Sequence, residues 1–594
     1  MSILKNMLKM FQLTFRYNKK YWFMCLGYIL LRIFHPFCLL FFIQVFVDGV
    51  LGEAQNSWIT ISLILLGAHI VGSCLRVILE NFIQLDQKSM MVDMSTLFCR
   101  KAAEMDYECT ENPEVLAEMD RASYVLIFGH SWSAYLNAIN ITAISFGEFV
   151  FCLIIVSSIP FYFAAGILLL SLLNILYNMS AQKENYKLYR KQMPLERRWR
   201  YFNKLACDTE YGKTMRIFDL AGYISRRGEE NRSKHFALYR EIVRREENRG
   251  FFQGISNAGI EVGIMAVLAL QVFYGNVTIG GFTAVLNAAK RIAGSLNQLF
   301  TGLINLYRND KYITDFFVFL ERPSKLRGTA KSLPKSVRLP PSVPGKIELR
   351  NVGFTYPGTN HQIIKNVSLT IEPGERLMIV GENGAGKTTL VKLIMRLYDT
   401  TEGEILYNGV NVKDYDYNEY MKHFSAVFQD FHIFDISVYE NILFGDTNDP
   451  KKRRQGDGLI KHTGLKERVD SMDRKGDTIL TRRLEDNGTN LSLGQQQMLA
   501  FARAVYKDGG TLVMDEPTAS LSSLAESRLY QQFQELSKGK TAVFVSHRLS
   551  SSSFCDKICV LANGEIAEYG THRELMQQDG IYADMYRLQA QYYV

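Results

Sequence analysis

Gly381-Glu382-Asn383-Gly384-Ala385-Gly386-Lys387-Thr388 follows the apolar run Leu377–Val380 and precedes a helix-like stretch. This is GxxxxGKT in strand–loop–helix order. Gly381, Gly384 and Gly386 let successive backbone N–H groups wrap phosphate oxygens, and a helix N-terminus favours the same anion. Asn383 and Thr389 belong to the same phosphate-side group. The pattern assigns Lys387 to the β- and γ-phosphates and the Thr388 hydroxyl to Mg²⁺. A second apolar run, Thr511–Met514, ends in Asp515-Glu516. A carboxylate at a strand end beside the loop can hold Mg²⁺ through water, and the next can polarise an attacking water. Together the two motifs imply nucleoside triphosphate hydrolysis.

The elements that must carry these groups lie after Lys346, where short β-like runs begin and no long apolar run follows. Before it, Pro323, Pro334, Pro340, Pro341 and Pro344 interrupt a stretch that reads as a linker over 322–344, because repeated proline stops helix and sheet alike. The chain has 594 residues, too many for one compact domain. Its apolar fraction of 47% and charged fraction of 22% exclude a disordered or collagen-like chain. The mean hydropathy of −0.05 averages two unlike halves. A net charge of +8 is mild at this length and does not point to nucleic acid. Nine scattered cysteines without a CxxC pair read as free thiols, not as a zinc site.

The first half, 1–321, reads as a membrane domain. A span needs about 20 mostly apolar residues. Trp22–Val47, Trp58–Leu79, Ile139–Ser158, Phe161–Met179 and Phe251–Tyr274 meet that, and a more polar sixth runs from Phe282 to Tyr307. Lys and Arg crowd the leader, the loop after Leu79 and the stretch from Lys183 to Arg249. They are missing from Asp48–Ser57, Ser157–Pro160 and Gly275–Gly281. This alternation follows the positive-inside rule and puts both termini in the cytoplasm. Leu4, Leu8, Phe11 and Phe15 share one helical face, so the leader reads as an interfacial helix and not a cleaved signal. Two long cytoplasmic loops become helical hairpins with tips near Glu111–Met119 and Asp208–Met215, positioned to contact another domain. Arg32, His35, His69, Arg76, Glu148, Glu261, Lys290 and Arg291 fall inside spans, where ionisable groups are costly and face protein or water. Lys290 and Arg291 suggest one wall of a polar cavity, and Pro36 a kink in the first span.

With these motifs in place, the chain resembles the ATP-binding cassette (ABC) transporters, as an exporter-type half-transporter with its membrane domain first. The resemblance covers nearly the whole chain. Leu491-Ser492-Leu493-Gly494-Gln495 resembles the family signature LSGGQ, Gln429 the Q-loop, His547 the switch histidine, and Tyr356 the aromatic that stacks on adenine. The resemblance implies six transmembrane helices followed by an α/β P-loop cassette over 345–594. It implies two cassettes that close head to tail on two ATP molecules with Mg²⁺ at Thr388, Gln429 and Asp515. Glu516, His547 and Gln429 would serve hydrolysis. Ser492, Gly494 and Gln495 would come from the facing chain, with Ser492 capping a helix aimed at the γ-phosphate.

Two residues depart from the family pattern. Leu493 replaces the first signature glycine, and Ser522 stands where the D-loop usually has Asp. Both elements face the opposite cassette, while this chain's own phosphate and carboxylate groups are complete. That asymmetry favours a heterodimer over a homodimer. The expected activity is ATP-driven export of a peptide, lipid or amphipathic molecule across a bacterial inner membrane. The alternatives are a regulatory nucleotide-binding half or an exporter-fold importer. No cysteine-protease domain precedes the spans, so cleavage of a leader peptide is not expected.

Overall fold

The structure, a computed structural model, describes residues 2–591 apart from 53–56, 127–130, 157–187, 189–190, 192–193, 196–197, 209–210, 328–339, 483–484, 517–530, 532 and 536. The chain divides into two compact units. One comprises 1–103 and 117–321; the other comprises 104–116 and 322–594.

The first unit is helical. An amphipathic helix, Ser2–Tyr17, leaves Leu4, Leu8 and Phe11 exposed, as an interfacial helix requires. Asn18 ends it and caps the next, accepting a hydrogen bond from the Tyr21 N–H. The long helices Lys19–Val50, Trp58–Ala103, Ser131–Val156, Ala221–Phe273 and Ile279–Glu321 contain five of the six expected spans, the third as far as Val156 and the fifth as far as Phe273. The fourth, Phe161–Met179, lies outside the described residues. Among the described residues, three helices are long and apolar enough to cross a bilayer: Lys19–Val50, Trp58–Ala103 and Trp132–Ile155. The helix Lys19–Val50 continues through Pro36, so this proline does not end it.

Apolar side chains of four helices build the core of this unit, with Phe37, Cys152, Leu268 and Ile292 at its centre. Polar staples tie the ends. Asn6 donates to Asp310 (2.9 Å) and Thr314 (2.8 Å). The Asp48 carboxylate accepts from Gly280 N–H (2.8 Å) and Thr278 Oγ1 (3.0 Å). Lys290, expected on a cavity wall, pairs with Glu261. Arg291 lies over the Phe37 ring (6.0 Å).

The second unit holds two sheets. Strands β1 (Ile347–Thr355), β2 (Gln362–Ile371), β4 (Glu402–Tyr407) and β5 (Val410–Asn411) form an antiparallel sheet in the order β2-β1-β4-β5. Strands β3 (Arg376–Val380), β6 (Phe424–Val427), β7 (Thr511–Asp515), β8 (Thr541–Val545), β9 (Lys557–Ala562) and β10 (Glu565–Gly570) form the other, in the order β10-β9-β3-β8-β7-β6. Its neighbours from β9 to β6 are parallel, and β10 is antiparallel to β9. β7 and β8 are buried along their whole length, the pattern of parallel strands covered on both faces. Alternation along β3 serves two cores. Leu377 and Ile379 pack toward the antiparallel sheet, and Met378 and Val380 toward Phe501 and Phe544.

Candidate functional site

Four adjacent parallel strands, β3, β8, β7 and β6, end along one edge, and the expected site residues follow directly from those ends. Val380 leads into the phosphate loop, Val545 into Ser546 and His547, and Val427 into the turn at Gln429. Asp515 closes β7, and Glu516 comes next. In open parallel sheets the carboxyl ends of strands are where ligands bind.

The loop is built by backbone that only glycine adopts without strain. Gly381 has φ +151°, and a Cβ there would lie 2.2 Å from the Leu561 carbonyl oxygen. Gly386 has φ +101°, N-caps the helix Lys387–Ile394, and would bring a Cβ to 2.7 Å from Ile364 Cδ1. Asn383 and Gly384 form the exposed crest. Lys387 is buried, and its Nζ donates to the carbonyls of Gly381 (3.0 Å) and Glu382 (2.9 Å). Burial lowers its pKa, opposed by the nearby carboxylates of Glu516 and Asp515.

Thr388 Oγ1 donates to Asp515 Oδ1 (3.3 Å), and Asp515 is only 2% exposed. Burial raises the Asp515 carboxyl, the Thr388 hydrogen bond opposes that, and Glu516 adds to the rise. A hydroxyl and a carboxylate side by side are the hard oxygen donors that suit Mg²⁺, so the residues present fit this ion. Glu516 occupies a left-handed conformation at φ +48°, and its N–H donates to Val545 O (2.9 Å). Its Oε1 lies 2.6 Å from His547 Nε2. The structure thus brings together two of the expected pairs, Thr388 with Asp515 and Glu516 with His547.

Tyr356 hydrogen-bonds through its hydroxyl to Thr389 Oγ1 (3.0 Å), and its ring packs edge-on against Phe354 and Tyr398. Gln429 is exposed on its turn and bonded to none of the other site residues. Ser492 N-caps the helix Leu493–Lys507 in a reciprocal capping box. Its Oγ accepts from Gln495 N–H (3.3 Å), and Gln495 Oε1 accepts from Ser492 N–H (3.0 Å). Gly494 lies in that first turn, and Leu493 is 53% exposed at its start. These signature residues bond within their own turn and not to the phosphate loop. Ser522 lies outside the described residues.

Sequence reasoning named the Glu111 tip but missed what it meets in this unit. Glu111 accepts hydrogen bonds from Lys392 Nζ (2.9 Å), Tyr107 (2.8 Å) and Tyr398. Lys392 lies over the Tyr107 ring (5.0 Å) and belongs to the phosphate-loop helix. Asp106 accepts from the Lys325 N–H (2.6 Å), and Glu108 pairs with Lys325 Nζ (2.9 Å).

A family model described as ABC transporter matches residues 364–519. Over 98% of this chain and 94% of the relative, the sequence is 25% identical to the subtilin transport ATP-binding protein SpaT of Bacillus subtilis. It is 34% identical to an ATP-dependent lipid A-core flippase of Paraburkholderia xenovorans over 55% of this chain and 53% of that protein. A flippase from Hahella chejuensis is 35% identical over a similar share, so the chain matches about half the length of these relatives. A solved structure described as a bacterial Atm1-family ABC exporter with ATP bound superposes with a TM-score of 0.78 at 20% identity. It covers 96% of this chain and 99% of that one. Residues 364–519 therefore match the ABC transporter family model, and the chain as a whole has the fold of the solved exporter structure.

Proposed function

We propose that the chain is one half of an ATP-driven exporter, with a membrane domain over 1–321, a linker over 322–344 and a cassette over 345–594. The observation that carries this reading is the convergence of the phosphate loop, Gln429, Asp515-Glu516 and His547 on one edge of one parallel sheet. Tyr356 stacks on the adenine, steadied by Thr389. Gly381, Asn383, Gly384 and Gly386 present N–H groups to the phosphates, and Lys387 leaves its two carbonyl partners to reach them. Thr388, Gln429 and Asp515 would hold Mg²⁺, which would supply charge neutralisation at the phosphate oxygens. Glu516 orients the attacking water and accepts its proton, while His547 holds the Glu516 carboxylate and contacts the γ-phosphate side.

Ser492, Gly494 and Gln495 complete the facing protomer's site. The reading of a second, different half-transporter as partner rests on Leu493 in this chain's signature against an intact Glu516. A multi-pass location in a bacterial inner membrane, with the cassette cytoplasmic, rests on the loop charges. Similarity along nearly the whole length to a subtilin transporter favours an amphipathic peptide as cargo. The flippase matches, over half the chain, support lipid as the second reading.

The test is ATP hydrolysis and cargo movement by the chain reconstituted with its partner in inside-out vesicles. ATP-dependent uptake that stops with Glu516→Gln is expected. Unchanged turnover in that variant complex would refute the catalytic assignment, and ATP-dependent release would refute export.

A further inference from the structure

The helices Lys19–Val50 and Trp58–Ala103 bring together two arginines that neither the fold nor the cassette chemistry explains. Tyr28, Arg32 and His35 repeat at helical spacing on one, and His69, Ser73, Arg76 and Glu80 on the other. His35 stacks on His69 with ring centroids 4.3 Å apart. It donates from Nε2 to the His69 carbonyl (2.8 Å) and lies 3.0 Å from Ser73 Oγ. Gly72 makes room for this approach, since a Cβ there would sit 2.5 Å from the His35 ring. Arg32 and Arg76 are both within electrostatic range of His35 and of Tyr28.

Three nitrogens in this cluster, Arg32 Nε, Arg76 Nε and His69 Nδ1, are shielded from solvent and have no hydrogen-bond partner. The nearby carboxylates are shared with groups outside the cluster. Glu80 lies within electrostatic range of Tyr28, and Glu148 attracts Arg291 more strongly than Arg32. Among the described residues, neither Arg32 nor Arg76 forms an ion pair with an acid. Unpaired guanidinium groups at this depth are costly, and guanidinium is the side chain best matched to a planar or tetrahedral oxyanion.

Depth decides what can carry that oxyanion. His35 and His69 lie about 16–20 Å along their spans from Trp22 and Trp58, near the middle of a hydrocarbon core about 30 Å thick. Arg32 and Arg76 lie between there and the end where Lys19–Val50 begins. Leu30, Phe34, Leu75 and Ile78 leave apolar surface exposed beside the cluster. A ligand reaching it needs acyl chains as well as negative charge.

We propose that Arg32, Arg76 and His69 form an intramembrane receptor for the phosphate group of an anionic lipid. This goes beyond the transport reading and does not depend on ATP hydrolysis. The test uses the full-length chain with its partner in detergent, titrated with phosphatidic acid and followed by native mass spectrometry. Wild type is expected to retain phosphatidic acid in preference to diacylglycerol of the same chains. Arg32→Gln with Arg76→Gln should weaken retention about tenfold or more, with melting temperature and ATP retention unchanged.

Equal retention by the double variant would overturn the proposal. So would displacement by millimolar inorganic phosphate, which would mark a free-anion site. Displacement only by an amphipathic peptide with a free carboxylate would mark a peptide site and overturn it as well. Should the double variant fail to fold, photoreactive phosphatidic acid on wild type decides. Cross-links are expected on segments 28–35 and 69–80, and labelling confined to other segments would refute the site.

Discussion

Glu516 sits at φ +48°, a conformation costing a non-glycine residue about 1–2 kcal/mol. Its N–H is bound to Val545 O and its carboxylate lies against His547. Such strain persists where surrounding structure over-determines it, and functional sites are where it collects. Glu516→Gln keeps the size and one hydrogen-bonding oxygen but loses the base. Phosphate release should fall by about 10²–10⁴-fold while labelled ATP is still retained on a filter. Gly386→Ala acts on the loop instead. It forces a Cβ into Ile364 at φ +101°, so ATP retention should fall along with turnover. Leu493 is a different case, because its side chain stands at the exposed start of a helix whose cap is already intact. Leu493→Gly should raise turnover of the dimer in a phosphate-release assay, since it clears the helix terminus without touching Ser492 or Gln495.

At the scale of elements, the Glu111 carboxylate ties the short helix Tyr107–Glu111 to Lys392 of the phosphate-loop helix and to Tyr398 just beyond it, and also accepts from Tyr107 in its own helix. Burial acts to raise the Glu111 pKa, but hydrogen bonds from Tyr398, Lys392 and Tyr107 outweigh it and hold the carboxyl below the usual glutamate range. A carboxyl lowered in the folded state contributes stability that is complete above the ordinary value, about 4.3. That stability is lost as pH falls through the lowered value. The melting temperature of wild type should therefore exceed that of Glu111→Gln at pH 7, and the gap should close toward pH 3. Glu111 was legible as a hairpin tip, but its partners were not. Lys392 and Tyr398 stand 281 and 287 residues away, and no local pattern encodes that pairing. The capping box at Ser492 was legible because Ser-x-x-Gln is a local signal whose partners lie three residues apart.

For the whole molecule, the complete set of phosphate and carboxylate residues and the altered signature lie on separate elements of the same cassette. In the proposed heterodimer, Glu516→Gln in this chain should abolish most ATP turnover, and the equivalent change in a partner should leave most of it. Equal losses from either chain would indicate two equivalent sites. Phe251, Phe252, Ile255 and Val262 are exposed along Ala221–Phe273, the apolar surface that a membrane-spanning segment presents to lipid.

The primary structure determined whatever depends on neighbours along the chain. Apolar run length marked the spans, glycine spacing marked the phosphate loop, and strand-end acids marked the edge proposed for hydrolysis. Tertiary structure alone decided the rest, because helix register and strand order are set by packing between distant segments. Packing paired Lys290 with Glu261, tied Tyr356 to Thr389, docked Glu111 on Lys392, and left the Nε atoms of Arg32 and Arg76 shielded and without a hydrogen-bond partner.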